Sequence, residues 1–317
     1  MTGGAGFIGS HLVEDLLQRR WSVVALDDLS TGSGDNVAHL DGDERFRLVV
    51  GSVTDRLIVG ALVEGSDVVF HLAAAVGVRL IIERPIHTLE TNLLGTEVVL
   101  EAASKRGQRV VLTSTSEVYG KTDRTPFRED DDLVLGPTTK SRWSYACSKA
   151  IDEFLALAYH RERALPVAIA RLFNTIGPRQ TGAYGMVVPT LVRQALAGQP
   201  MTVFGDGSQT RCFTWVGDVV RTLADLATQP AAAGRVFNVG GTEEVSIANL
   251  AGLIRRLTNR SSDIAYVPYA EAYEAGFEDM RRRVPDVARI DELLGYHPSL
   301  PLEDMLTRII EDMRRRG

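Results

Sequence analysis

Tyr145 and Lys149 stand four positions apart, so they share one face of a predicted helix. A phenol with an ordinary pKa of about 10 is a poor base at neutral pH. A neighbouring ammonium group stabilises the phenolate and makes it a usable base. Thr115, at the end of a predicted strand, could share a substrate proton with Tyr145. Alternatively, the spacing occurs by chance, with Tyr145 a core side chain and Lys149 a solvated charge.

A second group of residues is suited to binding a dinucleotide. Gly3, Gly6 and Gly9 open directly into an amphipathic helix. Such glycines permit a tight turn, the approach of backbone amides to a pyrophosphate and close helix packing, with the anion at a helix N-terminus. The next predicted strand ends at Asp27, whose carboxylate is placed to take adenosine ribose hydroxyls. Asp28 follows instead of an arginine, which favours NAD over NADP; the alternative is a plain turn and a surface acid.

Short β-branched runs alternate with helical stretches in the first half of the chain. Strands are predicted over residues 22–26, 46–50, 67–72, 109–114 and 167–172, and helices over 8–19 and 86–104. Strands that are apolar on both faces and alternate with helices are typical of a parallel sheet covered by helices. The predicted fold class is α/β: a Rossmann-type doubly wound parallel sheet with a smaller α/β substrate-binding lobe.

The alternation of strands and helices ends near Gly177, where short segments that contain glycine and proline begin. We predict a dinucleotide-binding domain at residues 1–175 and a smaller lobe at 176–317, with residues 211–240 partly returning to the first domain. Because the glycine turn begins at Thr2, the central first strand is expected to be truncated. Its neighbours would then keep unpaired backbone groups.

The composition excludes several functional classes. The net charge of −6 is spread along the chain, so a nucleic-acid partner is not expected. No apolar run approaches the roughly 18 residues of a membrane span, so a membrane partner is not expected either. Cys147 and Cys212 match no zinc spacing, so no metal is predicted, and their small number indicates a cytoplasmic location.

Six motifs together resemble the extended short-chain dehydrogenase/reductase family. They are TGGAGFIG at 2–9, HLAA at 71–74, NLLGT at 92–96, STSEVYG at 114–120, YACSK at 145–149 and RLFNTIGPRQ at 171–180. Members of this family use NAD to oxidise a nucleotide-sugar hydroxyl, usually at C4, and then act on the ketone. The resemblance implies that NAD is bound by Gly3, Gly6, Phe7, Ile8, Asp27, Leu72, Ala73, Asn92, Tyr145 and Lys149.

Residues 115–117 discriminate among the reactions of this family. Thr115, Ser116 and Glu117 resemble the Thr-Ser-Glu of UDP-glucuronate decarboxylases, whereas glucose 4,6-dehydratases typically show Thr-Asp-Glu and the 4-epimerases a small hydroxyl residue in place of the glutamate. Arg283 matches an arginine proposed as a proton donor in a bacterial decarboxylase. A guanidinium rarely gives up its proton, so we interpret Arg283 as stabilising a carboxylate or an enolate. The alternative for Glu117 is a purely structural carboxylate.

The resemblance therefore implies a UDP-glucuronate decarboxylase that yields UDP-xylose, UDP-4-keto-pentose or both. The catalytic residues would be Thr115, Ser116, Glu117, Tyr145, Lys149 and Arg283. A UDP-glucuronate or UDP-hexose 4-epimerase is the alternative, because residues 76–79 are nearer to the Gly-Val-Arg of epimerases than to the decarboxylase pattern.

The resemblance also implies where the UDP-sugar and a second subunit would bind. Substrate-binding residues would be Arg79, Asn174, Val203, Arg211 and Arg283. Arg79 could hold a carboxylate or lie on the surface. The alternative for Asn174 is that it only brackets a turn, and the alternative for Arg211 is that it is a surface charge. A homodimer is expected through helices at 89–104 and 145–159, although their apolar faces could instead be used inside the monomer.

Overall fold

The computed structural model describes residues 1–77, 81, 83–182, 185–268, 271 and 280–316. Its central strands are β1 (Val23–Asp27), β2 (Phe46–Val50), β3 (Val68–His71), β4 (Arg109–Thr115), β5 (Val167–Leu172) and β10 (Arg235–Val239). β2 pairs with β1, while β3, β4, β5 and β10 pair in that order. All of these pairs are parallel, which confirms the predicted α/β class.

The segment before the glycine turn lies between β1 and β3. Thr2 forms parallel bridges with Leu26 and His71. The amide of Leu26 donates to the carbonyl of Met1 at 2.8 Å, and the amide of Thr2 donates to that of Phe70 at 2.9 Å. Met1 and Thr2 therefore pair with backbone groups on both sides, where the sequence led us to expect unpaired neighbours.

Helices cover both faces of the sheet. Helices α1 (Phe7–Gln18) and α6 (Val216–Thr228) pack on one face, and α2 (Arg56–Glu64), α3 (Pro85–Ser104) and α4 (Arg142–Arg163) on the other. Strand side chains alternate between the two faces. Val111 of β4 accordingly belongs to the first core, and Val110 and Leu112 to the second.

The remaining elements form a smaller unit with its own core. Its paired strands are β6 (Thr175–Ile176) with β9 (Thr214–Trp215), β7 (Met201–Phe204) with β12 (Ile264–Val267), and β8 (Thr210–Cys212) with β11 (Glu244–Ser246). Helices α5 (Val187–Leu196), α7 (Ile247–Thr258) and α9 (Leu302–Arg316) enclose this core, while α8 (Ala288–Leu294) packs against the main sheet. The domain boundary at residue 175 stays a prediction.

Helix α4 positions Tyr145 in its first turn. The helix ends where Ala164 takes a left-handed conformation with φ of 54°, and basic residues in its last turn complement the helix dipole. Trp143 and Ala146 are buried on its inner side. In the described ranges of the chain, no helix combines the length and apolar composition that a membrane crossing requires.

Candidate active site

A cavity of about 540 Å³ opens at the carboxyl ends of β1, β3, β4 and β5. Ligands of open α/β sheets bind outside these strand ends. The predicted residues that line the cavity are Gly3, Gly6, Phe7, Ile8, Asp27, Leu72, Ala73, Thr115, Ser116, Glu117, Tyr145, Lys149, Asn174 and Arg283. Residues predicted separately for cofactor, chemistry and substrate thus meet at one cavity.

The glycine turn leaves room that side chains would fill. Gly3 has a φ of +72°, and a Cβ there would lie 2.7 Å from the amide nitrogen of Ala73. A Cβ on Gly9 would lie 1.9 Å from the carbonyl oxygen of Gly3. Helix α1 begins at Phe7, so its free amides face the cavity end of the turn. This geometry fits the pyrophosphate of a dinucleotide.

Asp27 closes the other side of this turn. Its carboxylate accepts hydrogen bonds from the amides of Ala5 and Leu29, each at 2.9 Å. Burial raises the pKa of the Asp27 carboxyl, and these backbone donors oppose the shift. The amides fix the carboxylate at the cavity wall, where it can accept hydrogen bonds from ribose hydroxyls.

Tyr145 and Thr115 approach each other at the cavity. Burial raises the pKa of Tyr145, and the negative charges of Glu117 and Asp152 raise it further. A side-chain hydrogen bond with Thr115 lowers it. Lys149 lines the same cavity but directs its ammonium group to Asp152, with the Nζ–Oδ2 distance at 2.8 Å. The structure thus places the predicted base together with its predicted hydroxyl partner.

Glu117 sits between two arginines. Its Oε2 accepts from Nη1 of Arg142, and its Oε1 from Nη1 of Arg283 at 3.3 Å. Burial by itself would raise the pKa of Glu117, but the charges of Arg142, Arg283 and Arg211 bring it down to about 2. Glu117 is therefore a carboxylate at neutral pH. Glu117 also lines the cavity, and its role in the reaction stays a prediction.

The local backbone presents Glu117 to the cavity. Strand β4 runs directly into a 3₁₀ turn over Ser116–Tyr119, and the hydroxyl of Thr115 accepts from the amide of Glu117 at 3.2 Å. Gly120 ends the turn with φ of 67°. Because this cap orders the turn, Ser116 and Glu117 both face the cavity next to Thr115.

Several predicted residues lie away from the cavity wall. Asn92 is buried in α3, where its Oδ1 accepts from the amide of Ala75 at 2.9 Å and so holds the loop after β3. The side chain of Val203 is buried in the core of the smaller unit. Arg211 donates to the carbonyl of Thr210 at 2.8 Å and is not among the residues that line the cavity, although its charge acts on Glu117. The binding roles of Asn92, Val203 and Arg211 stay predictions.

Asn174 and Arg79 complete the predicted set. Asn174 lines the cavity with a φ of 29°, and its Nδ2 donates to the carbonyl of Cys212 at 3.0 Å. Arg79 lies outside the described residues. The binding roles of both residues stay predictions.

Two residues of this site were missed from the sequence. Arg142 stands three positions before Tyr145, one helical turn away on the same face, and this spacing was the available signal. Asp152 follows Lys149 by three positions and would be found the same way. In the described parts of the chain, no group of histidine, cysteine, aspartate and glutamate side chains could hold a metal ion.

Known proteins match the chain over nearly its full length. A UDP-N-acetyl-alpha-D-glucosaminuronate decarboxylase of Bacillus cytotoxicus is 43% identical over 316 residues, which cover 99% of this chain and 97% of the relative. UDP-glucuronic acid decarboxylase 1 of Arabidopsis thaliana is 35% identical, over 100% of this chain and 69% of the relative. A solved UDP-glucuronic acid 4-epimerase of Bacillus cereus superposes with a TM-score of 0.89 at 28% identity, covering 100% of this chain and 98% of that one.

The family model described as GDP-mannose 4,6 dehydratase matches residues 1–309. That range includes the glycine turn, the 3₁₀ turn of Glu117, the Tyr145–Lys149 pair and Arg283, all of which line one cavity. The chain therefore belongs to the extended short-chain dehydrogenase/reductase family, in the group that the GDP-mannose 4,6-dehydratase model describes.

Proposed function

We propose that this protein is an NAD-dependent UDP-glucuronate decarboxylase. The observation that carries the proposal is the position of Glu117, held between Arg142 and Arg283 beside Thr115 and Tyr145. The decarboxylase names of the relatives at 43% and 35% identity support it.

The cavity residues fit NAD. Gly3 and Gly6 would take the pyrophosphate, because a Cβ at Gly3 would collide with backbone, and Asp27 would take the adenosine ribose. Asp28 lines the same cavity and disfavours a 2′-phosphate. When bound, NAD supplies the oxidation of the sugar at C4 and the later reduction of the ketone.

Tyr145 removes the proton of the C4 hydroxyl, and Thr115 shares it. Since burial raises the pKa of Tyr145, its phenol is protonated at neutral pH unless positive charge is close. Lys149 carries such a charge at the same cavity wall. Tyr145 then becomes a base in the loaded site, where Lys149 and the positively charged oxidised cofactor act together.

The oxidised sugar is a β-keto acid, which can lose carbon dioxide. The bond between C5 and the carboxylate breaks, and its electron pair moves into an enolate that includes the C4 oxygen. Glu117, Arg142 and Arg283 together carry one net positive charge, and Arg283 lines the cavity. Arg283 therefore stabilises the enolate, which takes a proton at C5 from water. Reduction of the ketone gives UDP-xylose, and earlier release gives UDP-4-keto-pentose.

The same residues argue against a 4,6-dehydratase. Elimination of a C6 hydroxyl needs a group that donates a proton to it. Glu117 is ionised at neutral pH, and Ser116 next to it carries a hydroxyl instead of an acid. Neither residue can act as that acid.

UDP-N-acetylglucosaminuronate is a second candidate substrate. The relative at 43% identity carries this substrate in its name, whereas the relative at 35% is named for UDP-glucuronic acid. The two uronates share the C4 hydroxyl and the carboxylate and differ at C2. The residues described here therefore perform the same chemistry on both.

The test is incubation of the purified protein with NAD and each UDP-uronate in turn, following carbon dioxide and product mass. We expect a product lighter by one carbon dioxide, and the ratio of kcat/KM for the two uronates identifies the preferred substrate. An unchanged mass with inverted C4 would assign the alternative, a 4-epimerase. No turnover of either uronate would refute the proposal.

We also propose a homodimer in the cytoplasm. Leu94 on α3 and Ile151 and Phe154 on α4 are exposed apolar side chains on two helices that pack side by side. A second copy would bury them as a four-helix bundle, so Phe154→Ser should lower the mass measured by light scattering.

The cysteines support the proposed location in the cytoplasm. Cys147 and Cys212 are both free thiols, which is consistent with a reducing compartment.

A further inference from the structure

Asp152 is a buried carboxylate that the proposed reaction does not use. Its Oδ2 accepts from Nζ of Lys149 at 2.8 Å, and both side chains are at least nine-tenths buried. Lys149 lines the cavity, whereas Asp152 is not among the residues that do. Asp152 therefore lies behind Lys149, outside the cavity lining, and contacts the cavity through that residue.

Further buried polar groups lie near Asp152. Burial raises the pKa of the Asp152 carboxyl, and Thr96 of α3 is among the neighbours that oppose this shift. Oγ1 of Thr96 lies 3.1 Å from Nε2 of His71. Nδ1 of His71 lies 2.7 Å from the hydroxyl of Thr2. Burial, followed by the charge of Lys149, lowers the pKa of His71 to about 3. The imidazole is thus neutral and adds no positive charge behind the carboxylate.

The charges with the largest effects on the pKa of Tyr145 belong to the 3₁₀ turn and to α4, and Lys149 and Arg283 line the same cavity. Burial raises the pKa of Tyr145 most; Glu117 from the 3₁₀ turn and Asp152 from α4 raise it further, and Arg142 lowers it. Glu117 is already matched by two arginines. Asp152 is matched by Lys149, the same ammonium group that is needed to stabilise the phenolate.

Another charged side chain near Asp152, Glu153, is already paired. Burial raises the pKa of Asp152 most, and the charge of the next residue, Glu153, raises it further. Oε2 of Glu153 is itself paired with Nη2 of Arg171 at 2.7 Å. Burial raises the pKa of Asp152, and Lys149 opposes that shift. A change in the Asp152–Lys149 ion pair would therefore change the net charge near the phenol of Tyr145.

We propose that Asp152 is a positioning residue, which anchors Lys149 beside Tyr145 and through its negative charge governs how readily Tyr145 releases its proton. The inference rests on the proposed function, in which Tyr145 is the base. Asp152 holds back the phenolate by sharing the ammonium group, so replacing it with a neutral residue favours the base form at lower pH.

The test compares the pH dependence of kcat/KM for wild type and Asp152→Asn. We expect the acidic limb to move to lower pH by about one unit, because a negative charge near the phenol is removed. Asp152→Ser should move it in the same direction, and Asp152→Glu should restore the wild-type limb. Asp225→Asn removes an equal charge from a residue of α6 that does not line the cavity, and should leave the limb unchanged.

A second readout is independent of turnover. Ultraviolet titration of the tyrosinate in the NAD-loaded protein, with Tyr145→Phe as the reference, reports the ionisation of Tyr145 directly. If the tyrosinate titration moves to lower pH in Asp152→Asn, the inference is supported. This holds even if wild type turns over no UDP-uronate, because lack of turnover would refute only the proposed function. An unmoved titration and limb in folded Asp152→Asn and Asp152→Ser would overturn it.

Discussion

Nη1 of Arg283 donates to Oε1 of Glu117 at 3.3 Å, although the two residues are 166 positions apart. The backbone around Arg283 is fixed by pairing with Phe127: the amide of Phe127 donates to the carbonyl of Val284, and the amide of Asp286 to that of Phe127, both at 2.8 Å. This pairing restricts where the guanidinium can lie. The contact therefore joins the last part of the chain to the end of β4.

Glu117→Gln should lower carbon dioxide release by about a hundredfold or more, because the amide no longer holds the guanidinium of Arg283 in place by an ion pair. Binding of NAD, measured by calorimetry, should be retained. Glu303→Gln, an exposed change on α9, is the control and should keep full turnover. Wild-type turnover by Glu117→Gln would remove Glu117 from the mechanism.

Arg142→Met should raise the pKa of Glu117, because Arg142 is the strongest of the charges that hold it down. Glu117 then takes up its proton at a higher pH, and the loss of kcat in acid begins at a higher pH than in wild type. Arg142→Lys keeps a positive charge, so the pH at which its kcat begins to fall should lie between those of wild type and Arg142→Met. A pH profile of Arg142→Met equal to wild type would contradict this role.

The same carboxylate should contribute to acid stability. Its pKa is lowered from 4.5 to about 2 in the folded protein, so its contribution is present above pH 4.5 and is lost as the pH falls through about 2. The difference in the free energy of unfolding between wild type and Glu117→Gln should be constant above pH 5 and shrink below 4.5. Urea titrations at a series of pH values measure it, and a pH-independent difference would be the opposite result.

Gly3→Ala should abolish NAD binding, since the new Cβ would lie 2.7 Å from the amide nitrogen of Ala73 at a φ of +72°. The matched control is Gly60→Ala in helix α2, where a Cβ would meet no atom within 4 Å. That change should keep NAD affinity and stabilise the fold by about 0.5–1 kcal/mol. Calorimetric NAD titration and thermal unfolding measure both, and normal NAD affinity in Gly3→Ala would contradict the assignment of the turn.

Glu153→Gln should destabilise the protein by about 3–5 kcal/mol, because it leaves the buried guanidinium of Arg171 without its counter-charge. The same carboxylate accepts from the hydroxyl of Ser114 on β4. Urea unfolding measures the change. A loss below 1 kcal/mol would show that Arg171 finds another partner, such as the carbonyl of Glu129 that it already contacts at 3.1 Å.

Local patterns were sufficient to predict most of the sheet. The strands predicted at 46–50 and 167–172 match β2 and β5, and the others differ by about one residue at their ends. Apolar runs report burial on both faces, which is a local property. The glycine turn and the Tyr145–Lys149 pair were likewise found because their spacing is fixed by the turn and the helix that carry them.

Contacts between distant segments could not be predicted in this way. The pairing of Glu117 with Arg142 depends on how the 3₁₀ turn after β4 lies against α4, which no spacing encodes. The side chain of Val203 is buried in a core because alternate residues of β7 point inward, so only its backbone is left to contact a substrate, and that role stays a prediction. Arg211 donates to the backbone carbonyls of Thr210 and Arg281, contacts that its sequence neighbours do not indicate, and its role toward a substrate stays a prediction.

The pairing of the Arg283 segment with Phe127 makes two parts of the proposed chemistry separable. The glycine turn at Gly3 is held by the main sheet, whereas the segment of Arg283 is held by backbone hydrogen bonds to Phe127. A change that breaks these hydrogen bonds and leaves the sheet intact would uncouple cofactor binding from the proposed stabilisation of the enolate. We expect such a protein to bind NAD and to release carbon dioxide slowly.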